Sequence, residues 1–167
     1  MTRPFLRWPD PRLRQAATPV GHVDDGVQAI WQEMIAAMCA MPGLGLAAPQ
    51  IGEMRALAIV DATGTGREVI CMADPELLSA SVETELAAEA SPNLPGVSAE
   101  ILRPTSIRMA FTNAQGAREE RDLAGLWARS ALHQLDHLAG KLFVERLSPT
   151  RRRMLLAKWH KQQRRAG

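Results

Sequence analysis

Cysteine is nearly absent from this chain of 167 residues, and long apolar runs are absent altogether. The two cysteines, Cys39 and Cys71, sit in apolar segments without C-x-x-C spacing, which argues against a disulfide framework or a zinc knuckle and predicts buried thiols. No stretch approaches the ~20 consecutive apolar residues that a membrane-spanning helix needs, and the opening residues hold no apolar signal core or cleavage site. A soluble, cytoplasmic protein is expected, with neither a membrane nor DNA as partner. Internal repeats, low-complexity tracts and long linkers are missing too, so residues 1–167 read as one domain.

Acidic residues are missing from residues 148–167, which hold Arg151, Arg152, Arg153, Lys158, Lys161, Arg164 and Arg165. The net charge of +2 therefore hides an asymmetry, because the rest of the chain carries 13 basic against 18 acidic side chains. A basic terminal helix on an acidic body suits a polyanion such as RNA. It suits equally a solvated helix that packs through Met154, Leu155, Leu156 and Trp159.

What is present is enough for a core: 46% of the residues are hydrophobic, and a chain of this length buries about 70% of the surface it exposes when unfolded. Val27, Ile30, Trp31, Met34, Ile35 and Met38 recur at helical spacing, with Asp24 or Asp25 as N-cap and Pro42-Gly43 as the stop. Residues 56–60 and 68–72 read as strands joined across Thr63-Gly-Thr-Gly66, and further strands are expected near 82–89, 99–103, 105–112 and 117–121. A second helix opens with Leu123, Leu126, Trp127 and Ala131 and runs to Gly140, a suitable C′ residue. A third starts at Ser148-Pro149, where Ser caps and Pro takes the first helical position. Strands in the middle and helices at the ends predict an α+β domain, with antiparallel or mixed sheets around the second helix. His22 and His160 read as solvent-facing, and Trp8, Trp31, Trp127 and Trp159 as packing aromatics.

Three strings carry chemistry. His133-Gln-Leu-Asp-His137 puts two imidazoles at i and i+4 on one helical face, the spacing that holds one metal ion. It departs from H-E-x-x-H because Gln134 offers an amide, which cannot act as a base. In Gly43-Leu-Gly-Leu-Ala-Ala-Pro-Gln-Ile-Gly52, Gly43 and Gly45 permit close backbone approach to a ligand chain, and the Gln50 side chain has an N–H that can polarise a carbonyl oxygen. The third string is Glu89-Ala-Ser-Pro-Asn-Leu-Pro-Gly96, followed by Arg103-Pro104.

In this order the three strings resemble the signatures of the peptide deformylase family. The likeness extends through Gly140, Leu142-Phe143 and Leu147-Ser-Pro149, back to Trp8-Pro-Asp-Pro-Arg-Leu-Arg14, and covers roughly residues 4–160. The resemblance implies the family's α+β fold around a central His-bearing helix. It also implies removal of the formyl group from the N-terminal methionine of nascent polypeptides, by Fe²⁺ or Zn²⁺ held by two His and one Cys. Carried over by position, His133 and His137 are metal ligands and Ser91 stands in place of the cysteine. Gln134 stands in place of the glutamate base, and Gln50 is an oxyanion donor. The other donor of the family is the backbone N–H after the cysteine; here Pro92 has none. Gly43, Leu44, Gly45, Glu89 and Leu132 are the expected substrate-binding positions, while the sequence leaves open whether Arg129 points into the pocket.

The departures fall where bonds would break. An alkyl hydroxyl is a far weaker acid and metal ligand than a thiol. Removing a general base costs ~10²–10⁴ in rate, and removing an oxyanion donor ~10²–10³. The expectation is a deformylase-like protein with weak or absent hydrolysis that still holds a peptide N-terminus. Two alternatives stand beside it: a working metallohydrolase in which water, Glu89 or Asp136 completes the metal shell, and a ribosome- or RNA-associated module acting through its basic C-terminal helix.

Overall fold

The computed structural model describes residues 3–167. Its elements run α1 (Asp25–Ala40), β1 (Gly45–Ala47), β2 (Leu57–Val60), β3 (Ile70–Ala80), β4 (Thr84–Glu89), β5 (Ala99–Pro104), β6 (Ser106–Thr112), β7 (Arg118–Ala124), α2 (Gly125–Leu138) and α3 (Pro149–Ala166), with short 3₁₀ helices at Pro11–Arg14, Ala48–Ile51 and Phe143–Arg146. A five-stranded sheet has the order β1-β2-β3-β6-β7 and a separate two-stranded sheet pairs β4 with β5. Every pairing within both sheets is antiparallel. The α+β expectation holds, and the mixed-sheet option falls away.

Local chemistry sets the helix ends as expected. The Asp24 side chain accepts from the Val27 N–H at the start of α1, and Ser148 accepts from the Arg151 N–H at the start of α3. Gly140, with φ of +79°, follows the last turn of α2, and a Cβ there would lie 2.6 Å from the Arg14 carbonyl oxygen. Val27, Ile30, Trp31, Met34 and Met38 form the buried stripe of α1 and pack on Leu46, Leu57 and Ile59. A second cluster joins the chain's two ends, with Leu6, Leu13 and Leu94 against Phe143 and Trp159. There Trp8 meets Trp159 edge-on at 5.3 Å, so the hydrophobic face of α3 has its packing partner. The acid-free side of α3 leaves Arg151, Arg153, Lys158, Lys161, Arg164 and Arg165 exposed.

Two expectations are corrected. Strand β3 runs to Ala80 rather than stopping at Met72, because Asp74, at φ +48°, carries the backbone through an irregularity instead of ending the strand. The Asp74 carboxylate accepts from the Val20 and Gly21 N–H groups, at 2.7 and 2.8 Å, and holds that bend. The cysteines are not both buried: Cys39 is exposed, off the apolar stripe of α1, and Cys71 is half-buried, its thiol pushed up to about 11 by desolvation. His22 and His160 are exposed, as expected. Among the described residues no helix is long and apolar enough to cross a membrane.

Candidate active site

Helix α2 lies at the centre, in contact with β1, β2, β5, β6 and β7. Arg129, Ser130, His133, Gln134, Asp136 and His137 are all buried along it, although polar residues at such positions carry a desolvation cost unless partnered. Beside it opens a cavity of about 430 Å³, walled by residues 41–45, Gln50, residues 88–92, Leu126, Arg129, Ser130, His133 and Gln134. Gly43, Leu44, Gly45, Glu89, Ser91 and Pro92 are thus brought together, as the sequence implies. Leu132 is not among them; it packs with Met109, Phe111 and Leu123 on the sheet side of the helix.

The two imidazoles meet with their Nε2 atoms 3.2 Å apart. His133 Nδ1 lies 2.8 Å from Glu89 Oε1, and Phe143 stacks on the same ring at 6.3 Å. Burial holds the His137 pKa well below its ordinary value, with the His133 and Arg103 charges acting in the same direction. His137 is therefore neutral near pH 7.

Glu89 is the hub of the site. Burial alone would raise its pKa, but hydrogen bonds from Arg103 and His133 outweigh that and bring it down to about 2. Arg103 donates to both Glu89 oxygens at 2.9 Å, and Arg129 Nη1 donates to Oε2 at 2.7 Å. On its other side Arg103 donates to Asp136 Oδ2 at 2.8 Å, and Arg146 grips the same aspartate. The carboxylates of Glu89 and Asp136 are thus committed to guanidinium groups, so neither completes a metal shell as the working-hydrolase alternative requires.

The loop after β4 is tied down by Asn93. Its Oδ1 accepts from Gln50 Nε2 at 2.8 Å and from Ser91 Oγ at 3.1 Å, while its Nδ2 donates to the Leu6 and Gln50 carbonyl oxygens. Gln50 Nε2 also lies 3.4 Å from Ser91 Oγ, and Gln50 Oε1 accepts from the Ala47 N–H. The N–H groups of Gln50 that the sequence suggests for a substrate carbonyl are engaged within the protein. Gln134 is the opposite case: its Oε1 is buried without a partner.

Glycine at position 45 has a specific reason. A Cβ there would collide with Ser130 Oγ, and would lie 2.8 Å from Gln134 Nε2 and 2.9 Å from the Ile59 carbonyl oxygen. Gly45 therefore lets α2 seat against β1, and Ser130 Oγ donates to the Leu44 carbonyl at 3.0 Å.

The donor set decides whether a metal ion fits. A tetrahedral ion with nitrogen ligands at ~2.0–2.1 Å sets them about 3.3 Å apart, so the two Nε2 atoms span one edge of such a shell. The third donor fails: Ser91 offers a neutral hydroxyl already bonded to Asn93 and Gln50. Among the described residues no group of three or more His, Cys, Asp or Glu side chains could hold an ion. The residues present do not fit a tightly held Fe²⁺ or Zn²⁺.

Sequence reasoning passed over Asn93 and Ser130 and used Arg103 only to fix register. An arginine with a proline after it, inside an apolar strand, was the available signal, because a buried guanidinium requires carboxylate partners.

Comparison with known proteins agrees with this architecture. Residues 2–153 match the family model described as polypeptide deformylase. The chain is 35% identical over 164 residues to a peptide deformylase of Methylocella silvestris, covering 95% of this chain and 84% of the relative. It is 37% identical over 169 residues to one of Rhizorhabdus wittichii, covering 97% and 96%. Among solved structures, a peptide deformylase from Legionella pneumophila superposes with a TM-score of 0.91 at 34% identity, covering 98% of this chain and 96% of that one. On the matched family model and these full-length likenesses, the chain belongs to the polypeptide deformylase family.

Proposed function

We propose that this chain binds the acylated N-terminus of a peptide in the cavity beside α2 and hydrolyses it slowly or not at all. The observation that carries the reading is Gln134: where the family pattern has a carboxylate base, a buried amide oxygen stands unpartnered in the pocket wall. An amide accepts a hydrogen bond but takes no proton from water near neutral pH. The orphaned oxygen suits a peptide N–H, since an unsatisfied buried acceptor costs ~1–3 kcal/mol and a donor from the ligand removes that cost. Edge strand β1 adds a second feature, because its far side from β2 lies along the cavity and suits an extended peptide backbone. Ser91 and Pro92 leave the scissile carbonyl without a thiolate-held metal or the usual backbone N–H.

Purified protein, reconstituted in turn with Fe²⁺, Ni²⁺ or Zn²⁺, is incubated with formyl-Met peptides and formate is measured. Little or no formate is expected. Turnover within tenfold of an intact family member refutes the reading.

The exposed basic side of α3 supports a second reading, docking on the ribosome through rRNA. Because Trp159 belongs to the core, the test replaces Arg151, Arg153, Lys158, Lys161 and Arg164 by Gln rather than deleting the helix. Salt-sensitive co-sedimentation with ribosomes that disappears in the variant is expected; sedimentation unchanged by the substitutions ends this reading.

A further inference from the structure

The cavity beside α2 has a charge pattern that catalysis does not use. Arg129, Glu89, Arg103, Asp136 and Arg146 form a row of alternating sign, each ion bonded to the next. Every interior member has an opposite charge on both sides. The row holds three cations and two anions, so the surplus positive charge falls at its ends. One end is Arg146, whose side chain is 48% exposed, and water screens it. The other is Arg129, only 10% exposed and set in the cavity wall. Its remaining partners, the Glu85 and Ile101 carbonyl oxygens, satisfy hydrogens without supplying a counter-charge.

Glu89 also lines the cavity, but its two oxygens receive Arg103 twice, Arg129 and His133, so it has no acceptor left for a ligand cation. The rest of the wall is apolar or neutral: Met41, Pro42, Leu44, Ala88, Ala90 and Leu126. A desolvated cation facing an apolar cavity favours an acceptor of negative charge far more than the same cation in water would.

We propose that Arg129 is a specificity-determining residue and that the cavity selects acylated peptides whose first side chain ends in a carboxylate. This rests on the peptide-binding reading above and adds the class of peptide. The Gln134 acceptor takes the ligand N–H, the acyl group removes the N-terminal positive charge, and the side-chain carboxylate faces the Arg129 guanidinium.

The test is direct binding, by fluorescence anisotropy, of C-terminally labelled formyl-Glu-Ala-Ser, formyl-Gln-Ala-Ser, formyl-Met-Ala-Ser and formyl-Lys-Ala-Ser. The Glu peptide is expected to bind at least about tenfold tighter than the other three. That preference should vanish in Arg129→Met and persist in Arg129→Lys. Should Arg129→Met not fold, the four peptides on the unaltered protein decide the matter. Met binding as tightly as Glu, or Gln as tightly as Glu, overturns the selectivity while leaving peptide binding intact. Failure of all four to bind overturns the peptide-binding reading and the selectivity with it.

Discussion

Replacing Glu89 by Gln tests the electrostatic centre of the site. The glutamine keeps the shape but meets the donors of Arg103, Arg129 and His133 with an amide that carries no charge and one acceptor oxygen instead of two. Glu89 titrates at about 2 in the folded chain against an ordinary value of 4.5. A depressed carboxylate pKa stabilises the fold above the unfolded value, and that stability drains away as pH falls from 4.5 towards 2. At about 1.36 kcal/mol per unit, the carboxylate contributes roughly 3 kcal/mol at pH 7, in line with the ~3–5 kcal/mol cost of breaking a buried pair. Urea unfolding followed by Trp fluorescence should show Glu89→Gln less stable by about 3 kcal/mol at pH 7. The same linkage makes the gap narrow by about 1.4 kcal/mol between pH 7 and about pH 3.5, as the unaltered protein loses what the variant never had. A gap under about 1 kcal/mol at pH 7, or one that does not change with pH, refutes the reasoning.

Gly45→Ala should lower stability by about 2 kcal/mol or more and abolish peptide binding, because the new Cβ meets Ser130, Gln134 and the Ile59 carbonyl; a fully stable, binding-competent variant contradicts that packing. Trp159→Ala, which opens a cavity in the cluster joining the two ends of the chain, should cost about 3–5 kcal/mol in thermal or urea unfolding, whereas Met154→Ala on the exposed side should change stability by less than ~0.5 kcal/mol. Restoring the family pattern with Ala90→Gly, Ser91→Cys, Pro92→Leu and Gln134→Glu together should raise formate release from formyl-Met peptides at least about 10²-fold once Fe²⁺ or Ni²⁺ is supplied; no gain in a folded, metal-loaded variant shows that the loss of chemistry lies elsewhere.

The sequence by itself determined what depends on near neighbours. The apolar stripe of α1, the Asp24 and Ser148 caps, the Gly140 stop and the i, i+4 histidines are set within a turn or two of chain, and three ordered strings were enough to indicate the family. Those strings also exposed the missing base and thiol, since residue identity is local. Only the tertiary structure decided the rest. Asp74-Pro75 looks like a strand breaker until Val20 and Gly21 arrive, 54 and 53 residues away, to occupy the Asp74 carboxylate. Leu132 and Arg129 sit on one helix, yet the packing of the sheet sends one into the core and the other to the cavity wall. Likewise, Glu89 becomes a permanently ionised hub rather than a metal ligand only because Arg103, Arg129 and His133, from two other elements, converge on it. Long-range convergence fixes the charge state and orientation of a side chain, and neither is encoded in the residues beside it.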